Sequence, residues 1–211
     1  SLIKYITMKL IDLNKVKRVL AILTTSTLIL INTAGGSENP LRTMKYSSGS
    51  KKAAAEWQNK LRSDTFSILK IDDILSVRKD WPFNPEEISV EDKGSYIMKE
   101  IELNSTMNRR IKVILTIPVN IKGRCPAVVC IHGHGGALRT VYENKSIYKS
   151  FASELAARNY VTIATTVSQH EVYEADRILM GERLWDLIRC VDYLESLREV
   201  DKKRVGCAGL A

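Results

Sequence analysis

The amino-acid sequence predicts an α/β fold: a mixed, mostly parallel sheet with helices on both faces, preceded by an amphipathic helix. Three observations lead to this prediction. A composition of 45% hydrophobic and 27% charged residues over 211 positions supports a full core and excludes a disordered chain. The continuous apolar run at 126–131 is typical of a strand covered on both faces. Beyond it, helical and strand patterns alternate, which favours parallel strands joined by right-handed crossovers.

Residues 1–36 have the pattern of a secretory signal peptide. Lys17 and Arg18 precede an apolar stretch at 19–31, and small residues follow at 34–36. The apolar stretch would span about 20 Å as a helix, whereas a bilayer core is roughly 30 Å thick. We therefore expect a secreted or periplasmic protein without a permanent membrane span. A buried N-terminal helix is the alternative interpretation.

The chain after residue 36 divides into a linker and one domain. Residues 37–52 are polar and unpatterned, as is typical of a linker, and residues 53–211 are expected to form the domain. Apolar residues recur at roughly helical spacing over 53–69, which predicts the amphipathic helix. Two strands at 96–103 and 110–118 are separated by a polar turn, which predicts an antiparallel hairpin.

The remaining elements follow the run at 126–131 in alternation. An apolar stripe through Ile147, Phe151 and Leu155 predicts a helix, and a β-branched run predicts a strand at 160–165. A longer apolar stripe predicts a helix over 175–198. The apolar segment at 204–210 predicts a further strand, so the second half of the domain has a β-α-β-α-β order.

The four cysteines are expected to be free structural thiols despite the predicted export. Cys130 and Cys207 lie in apolar, strand-like runs, and Cys190 lies within the predicted long helix. A thiol in such surroundings behaves as a small hydrophobic group. Cys125 is the cysteine that we expect near the surface.

A glycine-rich loop follows the strand at 126–131. It reads His132, Gly133, His134, Gly135 and Gly136. Three glycines let the backbone approach a ligand closely, and backbone N–H groups at such a loop suit an anion or an oxyanion. A structural glycine-rich turn is the alternative. The two histidines, His132 and His134, also suggest a metal-dependent hydrolase, although two ligands are too few for a metal site.

The strand at 204–210 leads into a second diagnostic sequence. A strand entering Gly-x-Ser-x-Gly forms the nucleophile elbow of a serine hydrolase. Here Gly209 and Leu210 fit the first two positions, and Ala211 takes the place of the serine. In open α/β sheets, ligands bind at the carboxyl ends of the strands, so this tip and the glycine-rich loop are the two candidate site segments.

Taken together, five segments make the chain resemble one family: residues 57–69, 126–136, 156–161, 181–194 and 200–210. They are similar to the α/β-hydrolase superfamily, in particular to its acetyl xylan esterase and dienelactone-hydrolase-like branch. The resemblance implies a serine carboxylic-ester hydrolase that needs no cofactor and acts on small-molecule or carbohydrate esters.

By position, the resemblance implies a role for each residue of the two candidate segments. It places Ala211 at the nucleophile position and the backbone N–H of His134 in the oxyanion hole. It also places substrate contacts on the rest of the two segments: His132, Gly133, Gly135, Gly136, Gly209 and Leu210. The triad acid and histidine of the family follow the elbow in the chain, so we expect neither His132 nor His134 to be the triad base.

These roles lead to the expectation that the chain is the N-terminal part of a longer esterase and is inert as given. An alanine cannot attack an ester. A non-catalytic binding protein of the same fold is the alternative, and the metal-dependent hydrolase is a further one. Residues 1–36 supply +4 of the net charge of +8, and the remaining +4 is spread over the rest of the chain without a run of Lys or Arg, which does not favour a nucleic-acid partner. No sequence pattern specifies an oligomeric state.

Overall fold

A computed structural model describes residues 44–210 of the chain. The predicted signal peptide, residues 37–43 of the predicted linker and Ala211 lie outside the described residues. The described residues belong to two units that divide after Ala54. The smaller part, residues 44–54, contains the start of the first helix, and the candidate site discussed below lies in the larger part.

Four α-helices and six β-strands make up the described residues. The helices are α1 (Lys51–Ile68), α2 (Asp72–Val77), α3 (Phe151–Ala157) and α4 (Leu179–Ser196). The strands are β1 (Glu86–Asp92), β2 (Tyr96–Asn104), β3 (Arg110–Pro118), β4 (Cys125–Ile131), β5 (Val161–Thr165) and β6 (Val200–Gly209). Short 3₁₀ turns at Arg78–Asp80 and Thr140–Tyr142 complete the described elements.

The strands form one mixed sheet in the order β1-β2-β3-β5-β4-β6. Strands β1, β2 and β3 form an antiparallel meander, β3 is antiparallel to β5, and β4 is parallel to both β5 and β6. Four strands, β2, β4, β5 and β6, therefore run in the same direction. The predicted mixed sheet and the predicted hairpin are confirmed. The carboxyl ends of β4, β5 and β6 meet at one edge of the sheet, beside the start of β3.

Helices cover the sheet on both faces, as predicted. Successive residues of a strand point to opposite faces, and β3 shows this division. Val113 and Leu115 pack with residues of α4, while Ile114 between them packs on the other side with Tyr142 and residues of α3. Each buried aliphatic side chain contributes about 1.5–3 kcal/mol, so the two apolar layers hold the central strands between them.

Two helices begin later than their apolar stripes predict. Helix α4 begins at Leu179 rather than near 175, because Asp176 adopts a φ of +64°. Helix α3 begins at Phe151, because Lys149 and Ser150 have φ values of +50° and +52°. A left-handed residue interrupts a right-handed helix. Ile147, which was expected in the helical stripe, is 70% exposed.

Two strands also differ from the sequence prediction. Strand β1 was not predicted, because its acidic sequence carries only Ile88 and Val90 as apolar residues, and both are about half exposed. It lies at the edge of the sheet, where charged residues are common. Strand β6 begins at Val200 instead of near 204, and its register with β4 shifts between Cys125 and Ala127.

All four cysteines are free, as predicted, but their predicted exposure is wrong at two positions. Cys125 is buried, at 6% exposure, because it opens β4 and packs within the apolar layer beneath α4. Cys207 is exposed, because β6 lies at the edge of the sheet within residues 44–210. The apolar sequence around a cysteine therefore does not predict whether its strand lies in the centre or at the edge of the sheet.

Among the helices within residues 44–210, none has both the length and the apolar character that a membrane crossing requires.

We expect iodoacetamide at pH 8 to alkylate Cys207 in the folded 211-residue chain and to leave Cys130 unmodified. Burial raises the pKa of the Cys130 thiol to about 12, so only about one molecule in 10⁴ would carry the reactive thiolate at this pH. Mass spectrometry of the peptides measures the labelling. Protein unfolded in urea is the control, in which all four thiols should react. Rapid labelling of Cys130 in the folded chain would contradict the buried position.

Candidate active site

The two candidate segments meet at the carboxyl edge of the sheet. Strands β4 and β6 are parallel neighbours, and their last paired residues are Ile131 and Gly209. A Cβ atom added at residue 209 would lie 2.9 Å from the carbonyl oxygen of Ile131 and 3.1 Å from its Cβ. A side chain at this position would therefore push the two strand tips apart. Glycine allows the glycine-rich loop and the end of β6 to lie side by side.

The loop from His132 to Gly136 is a tight turn that its glycines make possible. The N–H of Gly136 donates to the carbonyl oxygen of Gly133 at 3.1 Å. Gly135 has a φ of +74°, a conformation that glycine adopts without steric cost. A Cβ at residue 136 would lie 2.8 Å from Nδ1 of His132. The turn thus folds back directly onto the imidazole ring.

His132 is a structural anchor of this loop. It is 3% exposed, and both ring nitrogens form hydrogen bonds. The N–H of Val167 donates to Nε2 at 3.1 Å, so the ring hydrogen lies on Nδ1, which donates to the carbonyl oxygen of Gly133 at 2.8 Å. Neither nitrogen is available to a metal ion. Nor does any group of three or more His, Cys, Asp or Glu side chains suited to a metal occur within the described residues. The donor set therefore does not fit the metal-dependent alternative.

The loop leaves two backbone amides available. The N–H of Gly133 donates to the Tyr148 hydroxyl at 2.5 Å, and that of Gly136 is used within the turn. The N–H groups of His134 and Gly135 have no protein acceptor within residues 44–210. The imidazole of His134 is exposed and packs edge-on against His170, with ring centroids 5.7 Å apart. The amide that the resemblance assigns to the oxyanion hole is thus among those left free.

The tip of β6 is described as far as Leu210. Leu210 is 52% exposed and follows Gly209 at the same edge as the loop. Ala211 lies outside the described residues, and its assignment to the nucleophile position stays a prediction.

A cleft of about 940 Å³ opens at this edge of the sheet. Its walls are the start of β3, the segment 165–169 after β5 and the segment 173–177 before α4. The segment after β5 also supports the loop, because the Ser168 hydroxyl donates to the carbonyl oxygen of Gly136 at 2.9 Å. The N–H of Leu138 donates to the Thr166 hydroxyl at 3.3 Å. The segment after β5 therefore lines the cleft and also supports the loop that carries the free amides.

A buried ionic network holds two walls of the cleft together, the start of β3 and the segment before α4. Arg109 forms two hydrogen bonds with the carboxylate of Asp186, at 2.7 and 2.9 Å, and a third with Glu174 at 3.2 Å. The Ser105 hydroxyl donates to Asp186 at 2.5 Å. Burial raises the pKa of Asp186 above its ordinary value, and the hydrogen bonds from Arg109 and Ser105 oppose that rise. This network ties the turn between β2 and β3 to helix α4.

The pairing of Arg109 with Asp186 is not evident from the sequence. Trp185 is buried, as its place in the apolar stripe indicates. Asp186, the next residue, is almost as buried. Its position beside the apolar stripe of the helix, rather than on the opposite face, is the one sequence feature that could have indicated this burial. Its partner lies 77 positions earlier in the chain, on a turn. No local pattern links the two residues.

The described residues have the α/β-hydrolase fold. Among solved structures, the chain is similar to one from Bacteroides fragilis NCTC 9343 ascribed to an acetyl xylan esterase, with a TM-score of 0.64, 19% identity, and coverage of 80% of this chain and 50% of that chain. It is also similar to an acetyl xylan esterase from Paenibacillus sp. R4, with a TM-score of 0.52, 16% identity, and coverage of 65% and 49%. For a methylesterase, BT1017, the TM-score is 0.60 at 20% identity, with coverage of 77% and 37%. At these identities the likeness establishes the fold.

In sequence, the chain is 22% identical over 149 residues to YtaP of Bacillus subtilis (strain 168), a protein to which a hydrolase function is ascribed. The match covers 62% of this chain and 50% of that protein. The chain therefore spans about half the length of the curated relative that it matches. It matches no protein-family model.

We expect Gly136→Ala to lower the free energy of unfolding by about 1–3 kcal/mol, the usual cost of overpacking a closely packed position. The added methyl group would press on the His132 ring, which is held by two hydrogen bonds. Gly206→Ala is the matched control, because a Cβ at that position meets nothing within 4 Å, and we expect a change of about 0.5 kcal/mol or less. Urea denaturation measures both. Equal effects of the two substitutions would contradict the close contact between Gly136 and His132.

Proposed function

We propose that this chain is the N-terminal part of a secreted or periplasmic protein of the serine carboxylic-ester hydrolase type, with a site for small-molecule or carbohydrate esters, and that it is inert as given because alanine stands at the nucleophile position. One observation carries the proposal: the free amide of His134 lies on the loop after β4, beside the in-register tip of β6 that leads to the elbow position. The α/β-hydrolase fold and the likeness to esterases support it. Export rests on the pattern of residues 1–36, and cell fractionation of the expressed full-length protein tests it.

In the proposed reaction, the ester carbonyl oxygen binds at the backbone N–H of His134. A serine hydroxyl at the elbow attacks the carbonyl carbon, its proton passes to the triad histidine, and the carbonyl oxygen takes up the negative charge. A backbone donor that is already oriented stabilises this oxyanion without reorganising, and the loss of one such donor typically costs about 10²–10³ in kcat. The hydrogen bonds of His132 and Tyr148 would hold the loop in this orientation.

The chain as given carries alanine at the elbow, so we propose that it has no esterase activity itself. Alanine has no atom that can form the acyl intermediate. The triad acid and histidine would come from residues that follow position 211 in the full-length protein. The alanine also favours a second candidate, a non-catalytic binding protein with the same fold.

The test compares the full-length protein carrying Ala211 with its Ala211→Ser variant, using p-nitrophenyl acetate. We expect turnover from the serine variant and none from the alanine form, because only the serine supplies a nucleophile. Absence of turnover in both forms, with folding verified by circular dichroism, would overturn the esterase proposal and favour the binding protein.

A further substitution tests the role of the loop amide. In the Ala211→Ser protein, His134→Ala removes the imidazole but keeps the backbone N–H, so we expect kcat to change by less than about fivefold, a small effect beside the loss of a donor. A fall of about 10² or more would show that the side chain, not the amide, supports the reaction. Val172→Ala, at an exposed position outside the cleft, is the matched control.

A further inference from the structure

The edge of the sheet opposite the candidate site lies at the starts of β4 and β6. These strands are parallel, and their first residues pair with each other. The guanidinium of Arg204 donates to the carbonyl oxygen of Arg124 at 3.0 Å, which joins the two segments directly. Residues 122–124 and 198–204 therefore lie side by side, although they are far apart in the sequence. We refer to these two segments together as the amino-edge surface.

The beginning of β6 bulges away from β4 at this surface. Between their first two paired positions, β4 advances by two residues while β6 advances by five. A bulge turns the additional residues out of the ladder, and Lys202 and Lys203 within it are exposed. Asp201 accepts the N–H of Lys203 at 3.1 Å and Nε–H of Arg204 at 2.7 Å. The bulge is thus held in a shape that presents two lysines to solvent.

The amino-edge surface carries a clear excess of positive charge. Its two carboxylates are each paired with an arginine: Glu199 with Arg198 at 2.8 Å, and Asp201 with Arg204 at 2.7 Å. The other cations of the surface are exposed and form no ion pair with any described residue. A cluster of unpaired charges of one sign attracts partners of the opposite sign. The unpaired cations are Lys122, Arg124, Lys202 and Lys203.

An apolar groove of about 510 Å³ adjoins these cations. Ile117, Val119 and Ile121 line it together with Arg124 and Arg198, and Val119 is 46% exposed. Such a combination suits the interface of a bilayer, where apolar side chains enter the boundary between headgroups and acyl chains and cations meet the phosphates. A soluble polyanion would engage the cations and leave the apolar residues uncovered. The groove therefore favours a lipid surface as the partner.

We propose that the amino-edge surface binds the face of a membrane that contains anionic phospholipids. Lys202 and Lys203 contact the lipid phosphates, and Val119 enters the boundary below the headgroups. The cleft and the free amides lie at the carboxyl ends of the same strands, so the bound protein keeps its candidate site open to solvent. This peripheral contact is independent of the proposed ester hydrolysis.

The test measures binding of the full-length protein to lipid vesicles by co-sedimentation. Phosphatidylcholine vesicles with about 30% phosphatidylglycerol carry the negative surface that the proposal requires, and pure phosphatidylcholine vesicles do not. We expect binding to the first kind and none to the second. Raising the salt from about 0.1 M to about 1 M should release most of the bound protein, because the screening length falls from about 10 Å to about 3 Å.

Paired substitutions locate the contact on the protein. Lys202→Gln combined with Lys203→Gln should weaken binding about 25-fold, because each basic residue near an anionic surface contributes about a fivefold factor. Lys145→Gln combined with Lys149→Gln is the matched control, since it removes the same charge from exposed positions in the segment after the carboxyl end of β4. The control should change binding by less than about twofold, because charges beyond a screening length of the membrane contribute little. Circular dichroism verifies that both proteins are folded.

Val119→Thr tests the apolar part of the contact. This substitution keeps the branched shape of the side chain and replaces a methyl group with a hydroxyl, so we expect about fivefold weaker binding to the anionic vesicles. No binding of the folded full-length protein to anionic vesicles, or equal weakening by the two lysine pairs, would overturn the proposal. Tighter binding to polygalacturonate than to vesicles, unaffected by Val119→Thr, would also overturn it and favour an acidic polysaccharide as the partner.

Discussion

The parallel pairing of β4 with β6 is the constraint on which the candidate site depends. These strands are far apart in the sequence, yet their tips lie in register at Ile131 and Gly209. Because side chains alternate along a strand, a slip of one residue would turn every apolar side chain of β6 to the opposite face. Val200 and Val205 of β6 pack with the apolar layer beneath α4, which favours this register, and the absence of a side chain at residue 209 lets the tips come together. Packing in the sheet thus determines the geometry at its edge.

The loop at this edge is held by polar contacts that come from several parts of the chain. His132 connects it to the segment after β5, Tyr148 binds it from the approach to α3, and Ser168 binds its last residue. Each of these bonds occupies a group that could otherwise compete for the free amides. The amides of His134 and Gly135 remain available because their neighbours are all engaged. A rigid scaffold around a few free donors is what oxyanion stabilisation requires.

The sequence allowed the sheet, its two covered faces and the glycine-rich loop to be predicted, because these depend on local patterns. The apolar run of β4 and the glycines after it are visible in any short window. The predicted start of the long helix was too early, because an apolar stripe does not indicate that Asp176 adopts a left-handed conformation. The exposure of Cys125 and Cys207 follows from strand order, which local sequence does not contain. The pairing of Arg109 with Asp186 was missed because the two residues are 77 positions apart in the chain. The hydrogen bonds from the backbone of Tyr173 to Glu182 were missed because no sequence pattern marks a buried acid in the first turn of a helix.

The order of strands in the sheet also bears on how the fold can assemble. The meander of β1, β2 and β3 pairs neighbours in the chain across short turns, so little entropy is lost in closing it. The β4–β6 pair instead encloses β5 and two helices within one long loop, and such non-local contacts form slowly. Among the strand pairs of the described residues, β4–β6 thus joins the positions that are farthest apart in the sequence. Chain synthesis reaches β6 after the meander that supports the opposite side of the sheet has been made.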